Sequence, residues 1–547
     1  MRTLVISGGT GSIGLKRELS KFIDRKNLCT LINCYDNGLS TGLVRKVFDG
    51  EILGPSDARK QQFLDYELYR DEVKTEVSEF IYETLKGRVT IYKDPEIFIK
   101  NEVKDMPKEI ITAVHEYFNM PLANQIKYID FSLANIIYGG LAYTLGGLQN
   151  AVDCMADLLN LPRNIIINDD ESLFLCALTE NDTEIYDESE IVDWSNPDNK
   201  IVDVFFTDTK GNRKTPVLTE RAKSSLINSD LIICSPGTQF SSLIPTYMSE
   251  GFLESIQNKK IYLVKNSFQD KDMIGYTHEE EIQKILEYLP IENIDKIFSH
   301  INLEGFSDKT QIGDYITEDK HNHVLVKDIL DSYYNYNDEN KLIFDYDDTI
   351  FSRSDDEIDV SLENIKLIDE LSQHTFLFTG KKMAEIDENL SMDKFFTCYG
   401  SSVYDTGRKK VLTYSSLTAS EIREIIGILK DVSFNFSKIE NRDNCIISLR
   451  FLEDSYRDVL FKYIEISLPD LKVLKAGKQT IDIMKMDNHK MSNFNKAFSS
   501  SDDIFYVGDE LDGNDKDMIN ELNSLHVQSV LCTNTFLKYL ISKGKNE

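Results

Sequence analysis

The chain is predicted to fold as two α/β units, each a parallel sheet wrapped by helices. Three observations predict it. Short apolar runs alternate with longer stretches of helical periodicity, the pattern of parallel strands joined by crossover helices. That pattern stops in the polar stretch "DSYYNYNDEN", residues 331–340, and restarts with the strand-like "KLIFDYD". A length of 547 residues also exceeds what one core commonly organises. The expected division is a first unit over 1–330, a linker over 331–340 and a second unit over 341–547.

In the first unit the apolar runs "TLVIS" (3–7), "CTLIN" (29–33), "NIIIN" (164–168), "DLIICS" (230–235) and "KIYLVKN" (260–266) are expected strands. Residues 60–125 carry Lys, Glu, Tyr and Phe at helical spacing and are expected to form a mostly helical insertion. In the second unit, strand "KLIFDYD" is followed by helix "ENIKLIDELSQ", strand "TFLFTG" and, late in the chain, strand "IFYVGDE". Between about 391 and 477, strands such as "CIISLRFL" and helices such as "ASEIREIIGILKD" alternate, and this segment is expected to be an inserted α/β cap opened by "YGSSVYDTGRKK". The chain has no internal repeat and no low-complexity tract.

Composition narrows the function. With 41% hydrophobic, 10% aromatic and 28% charged residues, the chain can bury a large core. Its 61 basic and 92 acidic residues give a formal charge of −31, which opposes binding to nucleic acid and to anionic membrane surfaces. An anionic small molecule remains compatible where amides, Arg, Lys or a divalent cation cancel charge locally. The eight cysteines form no C-x-x-C pair and no zinc-like cluster with His, so free thiols in a reducing compartment are expected. The start "MRTLVIS" lacks the pattern of a signal peptide, and no run approaches the roughly 18 apolar residues of a membrane helix, so the expected location is cytoplasmic.

"DYDDTI" places Asp345 and Asp347 at the end of an apolar strand, where their charges repel. A D-x-D-x-T pattern alone is equally a turn or helix cap. Three companions follow in order: Thr379-Gly380-Lys381 ending the next strand, Lys490 beyond the cap segment, and Gly508-Asp509 ending another strand, with Asp512, Asn514 and Asp515 just after. Hydrolysis of a phosphate monoester needs a nucleophile, a proton for the leaving oxygen and neutralisation of a dianion. Asp345 is assigned as nucleophile and Asp347 as acid and base. Mg²⁺ is expected on Asp345, Asp509 and the Asp347 carbonyl, with Thr379 and Lys490 on the phosphoryl oxygens. The second acidic metal contact, Asp512 or Asp515, stays open. An EF-hand frame does not fit the acidic loop.

At these residues the chain resembles the haloacid dehalogenase (HAD) superfamily, over about 341–543. The cap position is similar to that of members with a large α/β cap, which include sugar phosphatases and phosphomannomutases. The resemblance implies a Mg²⁺-dependent phosphatase or phosphomutase acting on a small phosphorylated metabolite.

At the other end, "GGTGSIG" contains Gly9-x-Gly11-x-x-Gly14 between a strand and a helix, a loop whose amides can cradle phosphate. A nicotinamide-cofactor fold and a ligand-free tight turn both fit that loop alone. A Walker A loop does not, because Leu15 follows Gly14. The companions are "NCYDNGLSTGLVR" (33–45), "GPSDARK" (54–60), "DFSLANIIYGGL" (130–141) and "SPGTQFSSLIP" (235–245). In this order the segments resemble the family of the 2-phospho-lactate transferase CofD and the gluconeogenesis factor YvcK, over about 1–325.

That resemblance implies a Rossmann-like domain around a nucleotide-linked ligand. It places Gly9, Thr10, Gly11, Ser12, Asn33, Asn37, Ser40, Thr41, Arg45, Asp57, Arg59, Asn135, Gly237 and Thr238 at the ligand and Asp36 at Mg²⁺. Homodimers occur among such relatives. Four departures stand out: Asn37 replaces an Asp, Ser56 and Ala134 replace Gly, and Lys60 replaces Asn. The loss of a carboxylate at 37 bears on transfer chemistry more than on nucleotide binding. Two functions are therefore carried forward: a bifunctional transferase and phosphatase, or a sugar-nucleotide sensor regulating a phosphatase. A nicotinamide oxidoreductase fused to a phosphatase is the third reading.

Overall fold

The computed structural model describes the chain except residues 267, 318–319, 353, 355, 372, 431–435, 452–456, 477–478, 500–501, 511–514 and 545–547. Contacts divide it into Met1–Leu330 and Asp331–Glu547.

The first unit is built on a seven-stranded parallel sheet. From one edge to the other it runs Thr310–Ile312, Lys296–Ser299, Lys260–Val264, Leu231–Cys234, Thr3–Ser7, Leu28–Ile32 and Ile165–Ile167. All five expected strands take part. Thr3–Ser7 is fully buried, as an interior strand covered on both faces must be. Strand order reverses beside it, since its neighbours are Leu28–Ile32 and the much later Leu231–Cys234. Such a switch point opens a crevice at the strands' C-terminal ends.

The insertion is mostly helical. Helices Ser56–Leu68, Glu76–Leu85, Pro95–Glu102 and Lys108–Asn119 precede Leu133–Leu145. The pair Lys108–Asn119 and Leu133–Leu145 packs closely because Gly140 faces Ala113, where a Cβ would lie 2.2 Å from the Ala113 carbonyl oxygen. Periodicity did not reveal a two-stranded ribbon, Arg88–Ile91 with Tyr128–Ser132, nor a four-stranded antiparallel sheet within 174–214. Arg88–Ile91, Glu184–Ile185 and Arg213–Lys214 are short and largely exposed, whereas Phe174–Thr179 and Ile201–Thr207 are longer and mostly buried.

The second unit also has a seven-stranded sheet: Lys410–Thr413, Ser402–Asp405, Lys394–Thr397, Thr375–Phe378, Lys341–Phe344, Ile504–Gly508 and Asn523–His526. The last five in this order are mutually parallel, and the first two pair antiparallel. A separate four-stranded antiparallel sheet, Phe436–Arg442, Ile446–Phe451, Thr480–Lys485 and Leu471–Ala476, packs helices Ala419–Lys430 and Arg457–Ser467 on one face.

Two expected boundaries are corrected. The cap spans about 418–485 rather than 391–477. Lys394–Thr413 extends the main sheet, with Phe395 and Phe396 buried in it, and Thr480–Lys485 is a central cap strand. The linker expected at 331–340 begins in a helix, His323–Tyr334. Its last residues are held by aromatic burial, Tyr334 stacking on Tyr539 at 5.1 Å between ring centroids.

Candidate functional site

In the second unit, strand Lys341–Phe344 lies between Thr375–Phe378 and Ile504–Gly508, all parallel. Their C-terminal ends therefore bring Asp345, Thr379 and Asp509 to one edge of the sheet. Lys490 arrives as the first residue of helix Lys490–Ala497, whose His489 cap accepts from the Ser492 amide. It is only 4% exposed, and its Nζ donates to Asp345 Oδ1 at 2.5 Å and also to Asp515 Oδ1.

Carboxylate oxygens of Asp345, Asp509 and Asp515 all lie within 4.8 Å of one another. Thr349 donates to Asp509 Oδ1 at 3.2 Å. Burial and the neighbouring Asp515 push the Asp345 carboxyl well above the usual range. Burial, Asp515 and Glu510 raise Asp509 to about 7. Burial opposes the Lys490 charge, yet Asp345 and Asp515 hold its ammonium above the ordinary lysine range. Three carboxylates facing one ammonium form an oxygen donor set with surplus negative charge, which fits a hard divalent cation such as Mg²⁺. Asp515 thus stands where the sequence left two candidates open; Asp512 and Asn514 lie outside the described residues.

Asp347 stands apart. Its side chain is 54% exposed and pairs with Lys381 Nζ at 2.8 Å. The chain turns sharply after it, with Asp348 at φ 51°. Its carboxylate lies outside that group of three, and the Mg²⁺ contact expected at Asp347 is to its backbone carbonyl. Thr379 is buried, and its hydroxyl accepts from the Lys381 amide at 3.2 Å.

In the first unit, the loop Gly8–Ser12 crosses the sheet's switch point. Its glycines are required by close approach. A Cβ on Gly9 would lie 2.1 Å from Asp57 Oδ1, and one on Gly11 2.3 Å from the Pro236 carbonyl oxygen. Gln61 holds the loop from within, donating to Ser12 Oγ at 2.9 Å and to the Gly9 carbonyl at 3.2 Å. Among the described residues none accepts from the amides of Gly9, Thr10, Gly11 or Ser12.

Asp36 accepts from the Gly38 amide at 2.9 Å, and Asp57 pairs with Lys60 at 2.9 Å. A third carboxylate joins them. Glu188 Oε2 accepts from the Asn37 amide at 3.5 Å, and burial together with Asp36 and Asp57 lifts Glu188 to about 8. Burial and Asp57 raise Asp36 as well. Asn135 donates to Ser40 Oγ at 3.1 Å and Thr41 Oγ1 at 3.4 Å, joining the starts of helices Leu133–Leu145 and Leu39–Val47, two segments predicted to meet. Arg59 Nε is buried without a hydrogen-bond partner.

Several predicted contacts are spent on the fold. Arg45 is fully enclosed, stacks on Phe174 at 4.2 Å, and donates to the carbonyls of Ile52, Tyr35, Asp36 and Leu173 and to Ser172 Oγ. It clamps loops together and has no donor left for a diphosphate. Asn33 donates to the Ser242 carbonyl, and Ser12 Oγ is bound by Ser7 and Gln61. The Gly237 amide donates to Asn266, and the Thr238 hydroxyl is shared with Ser241 and Ser242. Sequence reasoning missed Glu188 because "DESEIVD" reads as a solvated helix start, and it missed Gln61 because an amide directly after a motif carries no signal.

Fold and sites together define a two-unit α/β protein with a carboxylate-rich site at the strand ends of each unit. The chain belongs to the CofD family: the family model described as 2-phospho-L-lactate transferase CofD matches residues 3–330. A putative gluconeogenesis factor of Streptococcus pneumoniae is 23% identical over 326 residues, covering 58% of this chain and 85% of the relative. The gluconeogenesis factor of Halalkalibacterium halodurans is 23% identical over 302 residues, covering 54% and 76%. A crystal structure of a UPF0052 family member from Bacillus halodurans matches at 19% identity with a TM-score of 0.46, covering 60% of this chain and 98% of that one. Over the C-terminal part, a HAD-superfamily phosphatase of Bacteroides thetaiotaomicron matches at 13% identity with a TM-score of 0.29, covering 38% and 95%.

Proposed function

We propose that the C-terminal unit is a Mg²⁺-dependent phosphomonoesterase of HAD type acting on a small phosphorylated metabolite such as a sugar phosphate. The N-terminal unit binds a nucleotide-diphosphate-linked metabolite and transfers a phospho-group from it. The observation that carries the first half is the convergence of Asp345, Asp509 and Asp515 around Lys490.

Asp345 attacks phosphorus, and the bond to the leaving oxygen breaks as Asp347 gives that oxygen a proton. Asp347 then takes a proton from the water that cleaves the aspartyl phosphate. Its half-exposed position beside Lys381 suits a group that must exchange protons with solvent. Thr379 and Lys490 orient the phosphoryl oxygens, and the Lys490 ammonium opposes the protonation of Asp345 that burial and Asp515 favour. Asp345, Asp509 and Asp515, with the Asp347 carbonyl expected beside them, would hold Mg²⁺, which would supply neutralisation of the phosphate charge.

In the N-terminal unit, the unpaired amides of residues 9–12 and Arg59 Nε are assigned to a diphosphate. Asp36, Asp57 and Glu188 are assigned to a divalent cation, Glu188 supplying the charge that Asn37 lacks. A second reading, a sensor that binds a sugar nucleotide without turnover, is favoured by Asn37 and by relatives named as factors. The eight cysteines, all unpaired, suit a reducing cytoplasm.

The test is Asp345→Asn assayed on a panel of sugar phosphates with Mg²⁺, beside calorimetry with nucleoside diphosphates and their sugar conjugates. Turnover is expected to vanish while the fold persists, because a neutral amide cannot attack phosphorus. Retained turnover in the purified variant refutes the nucleophile. Nucleotide release accompanying binding supports transfer, and binding without release supports the sensor.

A further inference from the structure

Two cysteines from opposite sides of the cap seam meet at one carbonyl. Cys398 follows strand Lys394–Thr397 of the main sheet, and Cys445 lies in the turn between cap strands Phe436–Arg442 and Ile446–Phe451. The Arg442 carbonyl accepts the Cys445 amide at 2.8 Å and the Cys398 thiol at 3.8 Å. Both side chains are fully buried in a small cluster with Tyr399, Ile446 and Met484, separate from the core of either layer. Neither takes part in the phosphatase mechanism.

The loop bearing Cys398 is tied to the active site. Three successive residues, Cys398, Tyr399 and Gly400, have φ of 53°, 58° and 82°. Side-chain-bearing residues adopt that region at a cost of order 1–3 kcal/mol each, and persist there only when surroundings enforce it. Two backbone bonds enforce it: the Tyr399 amide donates to the Thr379 carbonyl at 2.9 Å, and the Cys398 amide to the Lys381 carbonyl at 2.8 Å. From the same loop, Tyr399 Oη donates across the seam to Asp482 of the cap at 2.8 Å. From the cap, Arg442 Nη1 donates back to the Gly380 carbonyl at 3.3 Å. The two sulfurs therefore lie where the cap grips the segment Thr379–Lys381.

We propose that Cys398 and Cys445 form a reversible disulfide that fastens the cap to this loop and stops turnover when the protein meets a hydroperoxide. The effect on turnover rests on the phosphatase reading above; the bond itself does not.

The chemistry is a two-electron oxidation. The Cys445 thiolate attacks one oxygen of hydrogen peroxide, the O–O bond breaks, and the departing hydroxide takes up the thiol proton as water. The Cys398 sulfur then attacks the sulfenic sulfur, the S–S bond forms, and the sulfenic oxygen leaves as a second water with the Cys398 proton. Two thiols are oxidised and one peroxide is reduced to two waters. The roles follow the environment. The neighbouring Cys398 sulfur, partly opposed by burial and helped by Ser402 and Lys410, draws the Cys445 thiol down to about 7, while the neighbouring Cys445 and burial push Cys398 up. The thiolate is the nucleophile, so Cys445 reacts first. A cap has to lift to admit substrate, and lifting parts this same seam.

The test uses the full chain, treated with hydrogen peroxide, alkylated, digested without reductant and mapped by mass spectrometry. A Cys398–Cys445 linked peptide is expected, abolished in both Cys398→Ser and Cys445→Ser and reversed by dithiothreitol. Hydrogen exchange at residues 398–400 and 443–446 is expected to slow on oxidation, and phosphatase turnover to fall at least tenfold in wild type but in neither variant. Recovery of both cysteines singly alkylated, or linkage of either to another cysteine, overturns the proposal. A linked peptide with unchanged exchange and turnover overturns the fastening. If the reduced protein has no phosphatase activity at all, peptide mapping and exchange still decide the disulfide, so its failure is distinct from failure of the function.

Discussion

Replacing Lys490 by Met should destabilise the C-terminal unit in the absence of divalent cations and make its stability depend on Mg²⁺. The ammonium is 4% exposed and bonded to both Asp345 and Asp515. Without it, three carboxylates lie within 4.8 Å with no cation between them. At an effective dielectric constant of about 20, each ionised pair at that distance repels by roughly 3.5 kcal/mol, so at least one acid is protonated instead. Removing one partner from a buried pair costs about 3–5 kcal/mol. For a unit of this size, about 1 kcal/mol moves the midpoint by roughly 2–4 °C, so a drop of about 6–20 °C is expected in the corresponding transition. The assay is scanning calorimetry of the full chain in EDTA and in millimolar Mg²⁺. Mg²⁺ should recover more stability in the variant than in wild type, since the cation replaces a missing charge. A loss below about 1 kcal/mol in EDTA, or equal Mg²⁺ stabilisation of both proteins, refutes the argument.

Arg45→Lys should cost the N-terminal unit at least about 2 kcal/mol in urea unfolding, because an ammonium cannot reach the acceptors that the planar fork now serves, and buried carbonyls are left unpaired. Asp36→Ala should weaken Mg²⁺-dependent nucleotide binding at least tenfold by calorimetry and leave hydrolysis of a generic phosphate ester unchanged; equal loss of both would mean one coupled site. Glu188→Gln should reproduce the Asp36→Ala binding defect, and normal affinity in that variant would remove Glu188 from the cation site. EDTA should abolish phosphatase turnover, with recovery on Mg²⁺ addition read in a continuous phosphate-release assay.

The sequence determined most of the architecture and half of each site. Five apolar runs in the first unit and three in the second became adjacent parallel strands, because a strand buried on both faces must be apolar along its length. Asp345, Thr379 and Asp509 were legible for the same reason: the end of a predicted parallel strand is a predicted place in space. Glycines 9 and 11 were legible from their spacing after a strand, and at Gly11 only a residue without Cβ lets the Pro236 backbone approach so closely.

What only the tertiary structure decided are contacts between segments distant in sequence that carry no motif. Arg45 looked like a phosphate ligand because guanidinium suits phosphate, but five carbonyl and hydroxyl oxygens from residues 35–52 and 172–173 reach it first. Glu188 entered the Asp36 and Asp57 cluster from a short acidic run, and Asp515 met Asp345 and Asp509 through packing that no spacing rule describes. Cys398 and Cys445 met across a seam that no spacing rule describes. A strand's pattern reports its own burial, which the chain encodes locally; the partner of a polar side chain depends on which loops the folded sheet brings together.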